Sequence, residues 1–263
     1  MKNLKLAAVC LSCLTMTGCS ALNFSVDGLI NAPKLTSEQS EIHQALIESV
    51  GSNITLKYPK NGEYRSAYVI ANIDDEPTDE AMVFYEYTSN GSEEDGLRVN
   101  ILDKDKNGKW YSVKELAGAG TDIDQVIISP MGSNNQTDVF VGYQNLTNDE
   151  KTMEIYSYTD GDFKRVALDT YSVLEPLDIN NDGYIELITI QRSTNNDTGA
   201  VTAKASMLNM KNNEITRGEN VDMCDNVTSY VSSKTGMLDS GRRAIFIDGL
   251  TADGKLQTEI IYY

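Results

Sequence analysis

From Ile54 to Tyr263 the chain is written in short runs of Val, Ile, Tyr, Phe and Thr, broken by clusters of Asn, Asp and Gly. This punctuation constrains the fold more than any other feature. A period of two residues suits a strand, and the turn-forming residues end each run before a helical turn pattern could establish itself. The spacing predicts strands over 54–58, 67–72, 81–87, 97–102, 110–114, 125–129, 138–143, 152–158, 163–168 and 172–177. Further strands are expected over 185–191, 200–209, 227–232, 243–248 and 257–263. Many alternate, as in Met153-Glu154-Ile155-Tyr156-Ser157-Tyr158, which predicts one face in the core and one in solvent. Asn107-Gly108, Asp160-Gly161 and Asp253-Gly254 stand between runs as hairpin turns.

An internal repeat runs through this part. Tyr68 to Asp74 followed by Glu80 to Tyr85 is one copy, and Ser172 to Asn180 followed by Glu186 to Ile190 is another. Val126 to Ser129 with Asp138 to Tyr143 reads as a third copy lacking the acids, and Ala244 to Gly249 with Thr258 to Tyr263 as a fourth. Copies on the order of 50 residues apart have the period of propeller blades. The expected fold is therefore all-β: a β-propeller-like array of about four antiparallel blades, its ring possible to leave incomplete, after one N-terminal helix. A β-sandwich is the alternative. The chain ends on the apolar strand Glu259 to Tyr263, which predicts an exposed edge.

The one expected helix covers Thr36 to Gly51. A Thr or Ser cap opens it, acids fill its first turn, and Ile42, Ala45, Leu46 and Val50 recur at helical spacing. His43, the single histidine, falls off that stripe and is expected to be exposed and inert.

The opening residues predict export. Met1-Lys2-Asn3-Leu4-Lys5 is cationic, Leu6 to Leu14 is apolar but too short to span a bilayer, and Thr17-Gly18-Cys19 follows. This ending resembles the lipobox of bacterial lipoproteins, which implies cleavage before Cys19 and lipid attachment to its thiol. The expected organisation is a signal peptide over 1–18, a lipidated tether over 19–33 and a folded domain over 34–263. The resemblance implies a membrane partner through the N-terminal lipid and a place on the extracytoplasmic face of the cell membrane. Cys10 and Cys13 leave with the signal and Cys19 is acylated, so Cys224 remains alone, without a disulfide partner and expected as a small buried apolar residue.

Net charge is -17, and removing Lys2 and Lys5 makes the remainder more acidic still. Such a surface repels phosphate backbones, so no nucleic-acid partner is expected. There is no Gly-x-Ser-x-Gly elbow, phosphate loop or His-Glu-x-x-His, and one histidine excludes the usual triads.

The sharpest chemical motif is Asp178-Ile179-Asn180-Asn181-Asp182-Gly183-Tyr184-Ile185-Glu186. Side-chain oxygens of Asp178, Asn180, Asp182 and Glu186, with the backbone carbonyl of Tyr184, can wrap one hard cation; calcium takes six to eight oxygens. A plain Asx-Gly turn is the alternative use of the same residues. A strand, this loop and a second strand resemble the calcium loops of FG-GAP and VCBS-type β-propeller repeats, and residues 66–85 are similar to surface lipoproteins of clostridial bacteria. The resemblance implies a fold and a structural calcium ion. Asn72 to Glu80 is a degenerate copy, with Pro77 where the turn Gly belongs, and the FG and GAP signatures themselves are missing. Asp103 to Gly108 opens like a cation loop but carries Tyr111 at the ninth position, which predicts a charged hairpin.

The sequence thus predicts a surface-anchored, calcium-stabilised binding module that holds a protein or glycan ligand without turning it over. A carbohydrate-active enzyme working through paired carboxylates on the same scaffold is the alternative.

Overall fold

The computed structural model describes residues 35–88, 96–131, 137–145, 150–194, 197, 199–211, 214–224 and 227–263. The expected signal peptide, tether and Cys19 lie outside these residues. Among the described residues no helix is long and apolar enough to cross a membrane.

Helix α1 (Ser37–Val50) is followed by four separate antiparallel sheets. In the first, β1 (Ile54–Leu56) and β2 (Tyr68–Ala71) share one edge of β3 (Glu80–Tyr87), which continues to β4 (Leu97–Lys104) and β5 (Trp110–Ala117). The second runs β6 (Asp122–Ser129), β7 (Asp138–Gln144), β8 (Lys151–Thr159) and β9 (Asp162–Tyr171). The third runs β10 (Val173–Leu177), β11 (Glu186–Thr194), β12 (Val201–Lys211) and β13 (Glu214–Arg217), with β14 (Val221–Asp222) also on β12. The fourth has three strands, β15 (Val227–Met237), β16 (Arg243–Thr251) and β17 (Leu256–Tyr262).

Each sheet is an up-and-down meander because its connections are short turns. Asp160-Gly161, for example, joins β8 to β9 with both residues at positive φ, 56° and 77°. That geometry matches the twist of the strands it joins. The result is a propeller-like array of four antiparallel sheets. Among the described residues no strand pair links the fourth sheet to the first. A two-sheet sandwich is not observed.

Consecutive sheets pack face to face, and the core is accordingly divided into layers. Met82, Phe84 and Val99 of the first sheet meet Val139, Val141 and Tyr143 of the second. Phe140, Met153 and Ile155 on the other face of the second sheet meet Leu187, Leu208 and Met210 of the third. Ile188, Ile190 and Ala205 then meet Ile245 and Ile247 of the fourth. A central strand such as β7 is therefore buried on both faces, each large apolar side chain contributing about 2 kcal/mol.

This overturns the expectation of one solvent face per strand. Glu154, read as solvent-facing, is buried; it accepts from the Tyr156 hydroxyl at 2.6 Å and the Arg165 guanidinium at 2.6 Å. Its charge is tolerated inside because it is paired and hydrogen-bonded. Half-exposed alternation is confined to outer strands such as β5, β13 and β17.

Helix α1 covers the outer face of the first sheet, packing Ile42, Ala45 and Leu46 on Ala81, Val83 and Tyr85. His43 is half-buried, not exposed, because its Nδ1 lies 2.9 Å from the Tyr68 hydroxyl. Cys224 is exposed, not buried; it sits beyond β14, where its backbone N–H donates to Glu259 at 2.9 Å. The fourth repeat copy is also corrected. Its expected pair of strands corresponds to β16 and β17, one strand later than in the other copies, whose equivalents are β15 and β16.

Candidate cation loop and axial cleft

The connections from the first to the second long strand of the first three sheets, 72–79, 130–137 and 178–185, are all eight residues long. Each ends on a buried carboxylate that opens the next strand: Glu80, Asp138 and Glu186. Each carboxylate accepts a backbone N–H from seven residues earlier: Ile73 to Glu80 at 2.8 Å, Met131 to Asp138 at 3.2 Å, and Ile179 to Glu186 at 3.0 Å. The latch holds the loop down on the strand it precedes. Burial pushes all three carboxyls upward, Glu80 to about 7, while the latching N–H groups pull the other way. Asp138 escaped the sequence reading because no further acids stand beside it. The common loop length, counted back from an acid before an apolar run, is the signal that identifies it.

In the loop 178–186 hydrogen bonds link the expected ligand residues. Asp178 accepts from the N–H groups of Asp182 at 3.1 Å and Gly183 at 3.3 Å, and Asp182 accepts from Tyr184 N–H at 2.9 Å. These bonds curl the backbone around a common centre. Asn181 at φ 61° and Gly183 at φ 93° make the curl possible, and glycine is the residue that takes such a φ without strain. The Asn180 amide sits inside it, donating to Asp182 at 3.1 Å and Glu186 at 2.8 Å. An N–H donor shared by two carboxylates occupies the kind of place a cation would take. Among the described residues no three acidic, histidine or cysteine side chains stand together in a metal-holding geometry. Asp178, Asn180, Asp182 and Glu186, with the Tyr184 carbonyl, carry oxygens of the chemical kind calcium takes. Arg243, the first residue of β16, reaches across from the fourth sheet and holds the Asp178 carbonyl at 2.7 Å and its carboxylate at 3.2 Å.

The degenerate loop 72–80 keeps the latch and loses the curl. Pro77 fixes φ near −65° where Gly183 needs a positive value. Asn72 instead donates to the Glu76 carbonyl at 2.6 Å, and Glu76 N–H donates to Asp74 at 2.7 Å. The segment Asp103 to Gly108 forms the expected charged hairpin, with Asp105 accepting from Asn107 N–H at 2.8 Å and Lys109 N–H at 3.0 Å.

A second feature was not foreseen residue by residue. The inner strands β6, β10 and β15, with the segment Asn61 to Tyr64, line a cleft of about 530 Å³. Side chains tie these inner edges together around it. Asn61 donates to Asp124 at 2.8 Å, Gln125 donates to the Leu174 carbonyl at 3.2 Å, and Ser233 donates to Glu175. Asp124 is 1% exposed. It also accepts from the Lys151 ammonium at 2.8 Å and the Tyr171 hydroxyl at 2.6 Å. Tyr171 reaches it by passing over Gly142, where a Cβ would stand 2.1 Å from the hydroxyl oxygen. Burial pushes the Glu175 carboxyl up, and the Ser233 hydroxyl opposes the shift. The cleft is therefore walled by polar groups that are mostly already paired.

No protein family and no curated protein matches the chain. Among solved structures it is similar to a mannose phosphorylase from Leishmania mexicana, 11% identical, over 87% of this chain and 73% of that one, with a TM-score of 0.33. It is also similar to a protein described as an exo-β-1,3-galactanase from Bifidobacterium bifidum, 14% identical, over 78% of this chain and 71% of that one, with a TM-score of 0.28. Neither likeness bears on the chemistry of this chain.

Proposed function

We propose that the chain is an extracytoplasmic lipoprotein, anchored through Cys19, whose four-sheet array is a calcium-stabilised binding module for a polar protein or glycan ligand. The calcium ion would be held at 178–186 by Asp178, Asn180, Asp182, Glu186 and the Tyr184 carbonyl, and would stiffen the entry to β11. The ligand would sit in the axial cleft. The observation that carries the non-catalytic reading is the saturation of Asp124: three donors already engage its carboxylate, so it is not free to move a proton or attack a substrate.

A second reading, a carbohydrate-active enzyme, draws on Glu175. It lines the same cleft as Asp124, and its carboxyl is pushed up by burial, as a general acid requires. A glycan array probed with the full chain, followed by a hydrolysis assay on every glycan bound, separates the two. The binding-module reading expects retention without turnover, weakened at least tenfold by the cleft-filling substitution Ser172→Trp. Turnover abolished by Glu175→Gln would transfer the function to the enzyme reading. Binding indifferent to Ser172→Trp would remove the cleft from the account. Anchoring has its own check: Cys19→Ala should shift the protein from the detergent phase to the aqueous phase on phase separation.

A further inference from the structure

The fourth sheet differs from the others on its outer side. It has three strands, where the first and third have five and the second has four. Seven of the thirteen exposed large apolar side chains among the described residues lie between Val231 and Tyr263. Three of them, Leu256, Ile260 and Tyr262, stand on β17 at 64%, 47% and 50% exposure. The first sheet hides its outer face under α1, the one helix among the described residues, and the fourth has no such cover. Apolar groups gathered in this way mark an interaction surface.

The outer strands of the other sheets are protected as edges usually are, by charge, shortness or a bulge. β9 carries Asp162, Lys164, Arg165 and Asp169, and its register shifts against β8. β5 carries Lys114 and Glu115, and its register shifts against β4. β13 is only four residues long and holds Glu214 and Arg217. β17 has none of these devices: it runs seven residues in unbroken register with β16, and Glu259 is its one charge. Its free side also presents a regular row of backbone groups. Thr251 N–H donates to the Lys255 carbonyl at 2.9 Å, which turns Lys255 toward β16. By the alternation of an antiparallel ladder, Gln257, Glu259 and Ile261 also bond to β16, and Leu256, Thr258, Ile260 and Tyr262 point their N–H and C=O groups outward.

Charge decides what fits there. The chain carries −17 overall. From Val227 to Tyr263, however, the cations Lys234, Arg242, Arg243 and Lys255 balance the anions Asp239, Asp248, Asp253 and Glu259. Two copies of so acidic a chain repel over most of their surface and are neutral to each other here. The strand is also complementary to itself. Two antiparallel β17 strands centred on Thr258 set Leu256 opposite Ile260 of the second copy, and Gln257 opposite Glu259 of the second copy. Lys255 then stands diagonal to that same Glu259, and no like charges face each other.

We propose that the free edge of β17 is a homodimer interface, at which two copies of this chain join their fourth sheets, antiparallel and edge to edge, into one continuous sheet about a twofold axis. The contact uses the same strand on both sides, so it closes at two copies. Main-chain hydrogen bonds supply affinity, as in other strand additions, and the Leu256–Ile260 pairs fix the register. It requires neither a cation nor a ligand in the cleft.

Sedimentation velocity of the full chain tests this, in non-ionic detergent that masks an N-terminal lipid common to all variants. A reversible, concentration-dependent dimer is expected. Thr258→Pro removes an outward N–H; it gives up the exposed bond from the Thr258 hydroxyl to Asp248 at 2.6 Å but no bond of the ladder to β16. Ile260→Lys puts a charge in the middle of the contact. Each should raise the dimer dissociation constant at least tenfold, with folding checked by circular dichroism; if Thr258→Pro does not fold, Ile260→Lys decides alone. Leu168→Lys, at an exposed apolar site on β9, should leave the dimer unchanged. A chain that stays monomeric at every concentration would overturn the proposal and give the edge to a strand of a different protein. A dimer indifferent to the folded β17 variants, or one that Leu168→Lys breaks as well, would overturn it too.

Discussion

The loops 72–80 and 178–186 occupy the same place in the first and third sheets, end on the same buried glutamate latch, and differ in almost everything between. The third-sheet loop winds its polar side chains inward through Gly183 at φ 93° and has an arginine from the next sheet on its first aspartate. The first-sheet loop is stiffened by Pro77, leaves its carboxylates spread around a cavity, and keeps one glutamate oxygen unpartnered. The comparison teaches that the latch and the curled loop are separable. The latch is a packing device repeated in three sheets; the curl needs a residue at positive φ where Gly183 stands.

The largest expected effect comes from imposing one loop on the other. Gly183→Pro forces a negative φ where the chain needs 93° and removes the N–H that donates to Asp178. It should cost about 3 kcal/mol or more by urea denaturation, and the loop should lose its calcium response. Unchanged stability would mean that the curl is incidental.

The latch alone is tested in the second sheet, away from any candidate cation. Asp138→Ala strands Met131 N–H and the Ser157 hydroxyl in the interior and should cost about 2 kcal/mol, read as a lower urea midpoint at constant slope. The same residue gives a pH dependence. Burial raises its carboxyl above the ordinary 3.8, so the folded protein holds the proton over a window in which the unfolded chain has lost it. Its contribution to stability is therefore full below about pH 4 and is lost as pH rises through the raised value. Asp138→Asn should flatten that part of the profile of Tm against pH.

Arg243→Met makes the third-sheet loop resemble the first by removing its arginine. Apo stability should fall by about 1 kcal/mol, because the Asp178 carbonyl loses its donor. Calcium affinity at 178–186 should rise, since a competing positive charge has gone; calorimetric titration measures it. The smallest effect belongs to the charged hairpin that only imitates a cation loop. Lys109 pairs with Glu48 at 3.4 Å in the open, and Lys109→Ala should change stability by less than about 0.5 kcal/mol.

Much of the architecture was written in local pattern. All fifteen expected strands form, and α1 begins and ends within a residue of its sequence signals. The strands β13 and β14 escaped because Glu214 to Arg217 is short and half-exposed, and Val221-Asp222 is only a bridge on β12. Periodicity failed where the fold is layered. A strand covered on both sides can carry Glu154 or Ser157 inward, provided partners such as Arg165 and Asp138 meet them. In the candidate sites, the contiguous loop 178–186 was legible because its ligands lie within nine residues. The axial cleft instead assembles Asp124, Gln125, Glu175 and Ser233 from three sheets and Asn61 from the loop between β1 and β2, a convergence that no local pattern encodes.

The most direct test of the account is thermal unfolding of the full chain in a hundredfold excess of calcium over its dissociation constant and in chelator, for the wild type and Asp182→Ala. Cation binding to the folded state alone should stabilise the wild type by about 2.7 kcal/mol. The account predicts a rise in Tm that is abolished by Asp182→Ala. An identical Tm for the wild type in calcium and in chelator would contradict it.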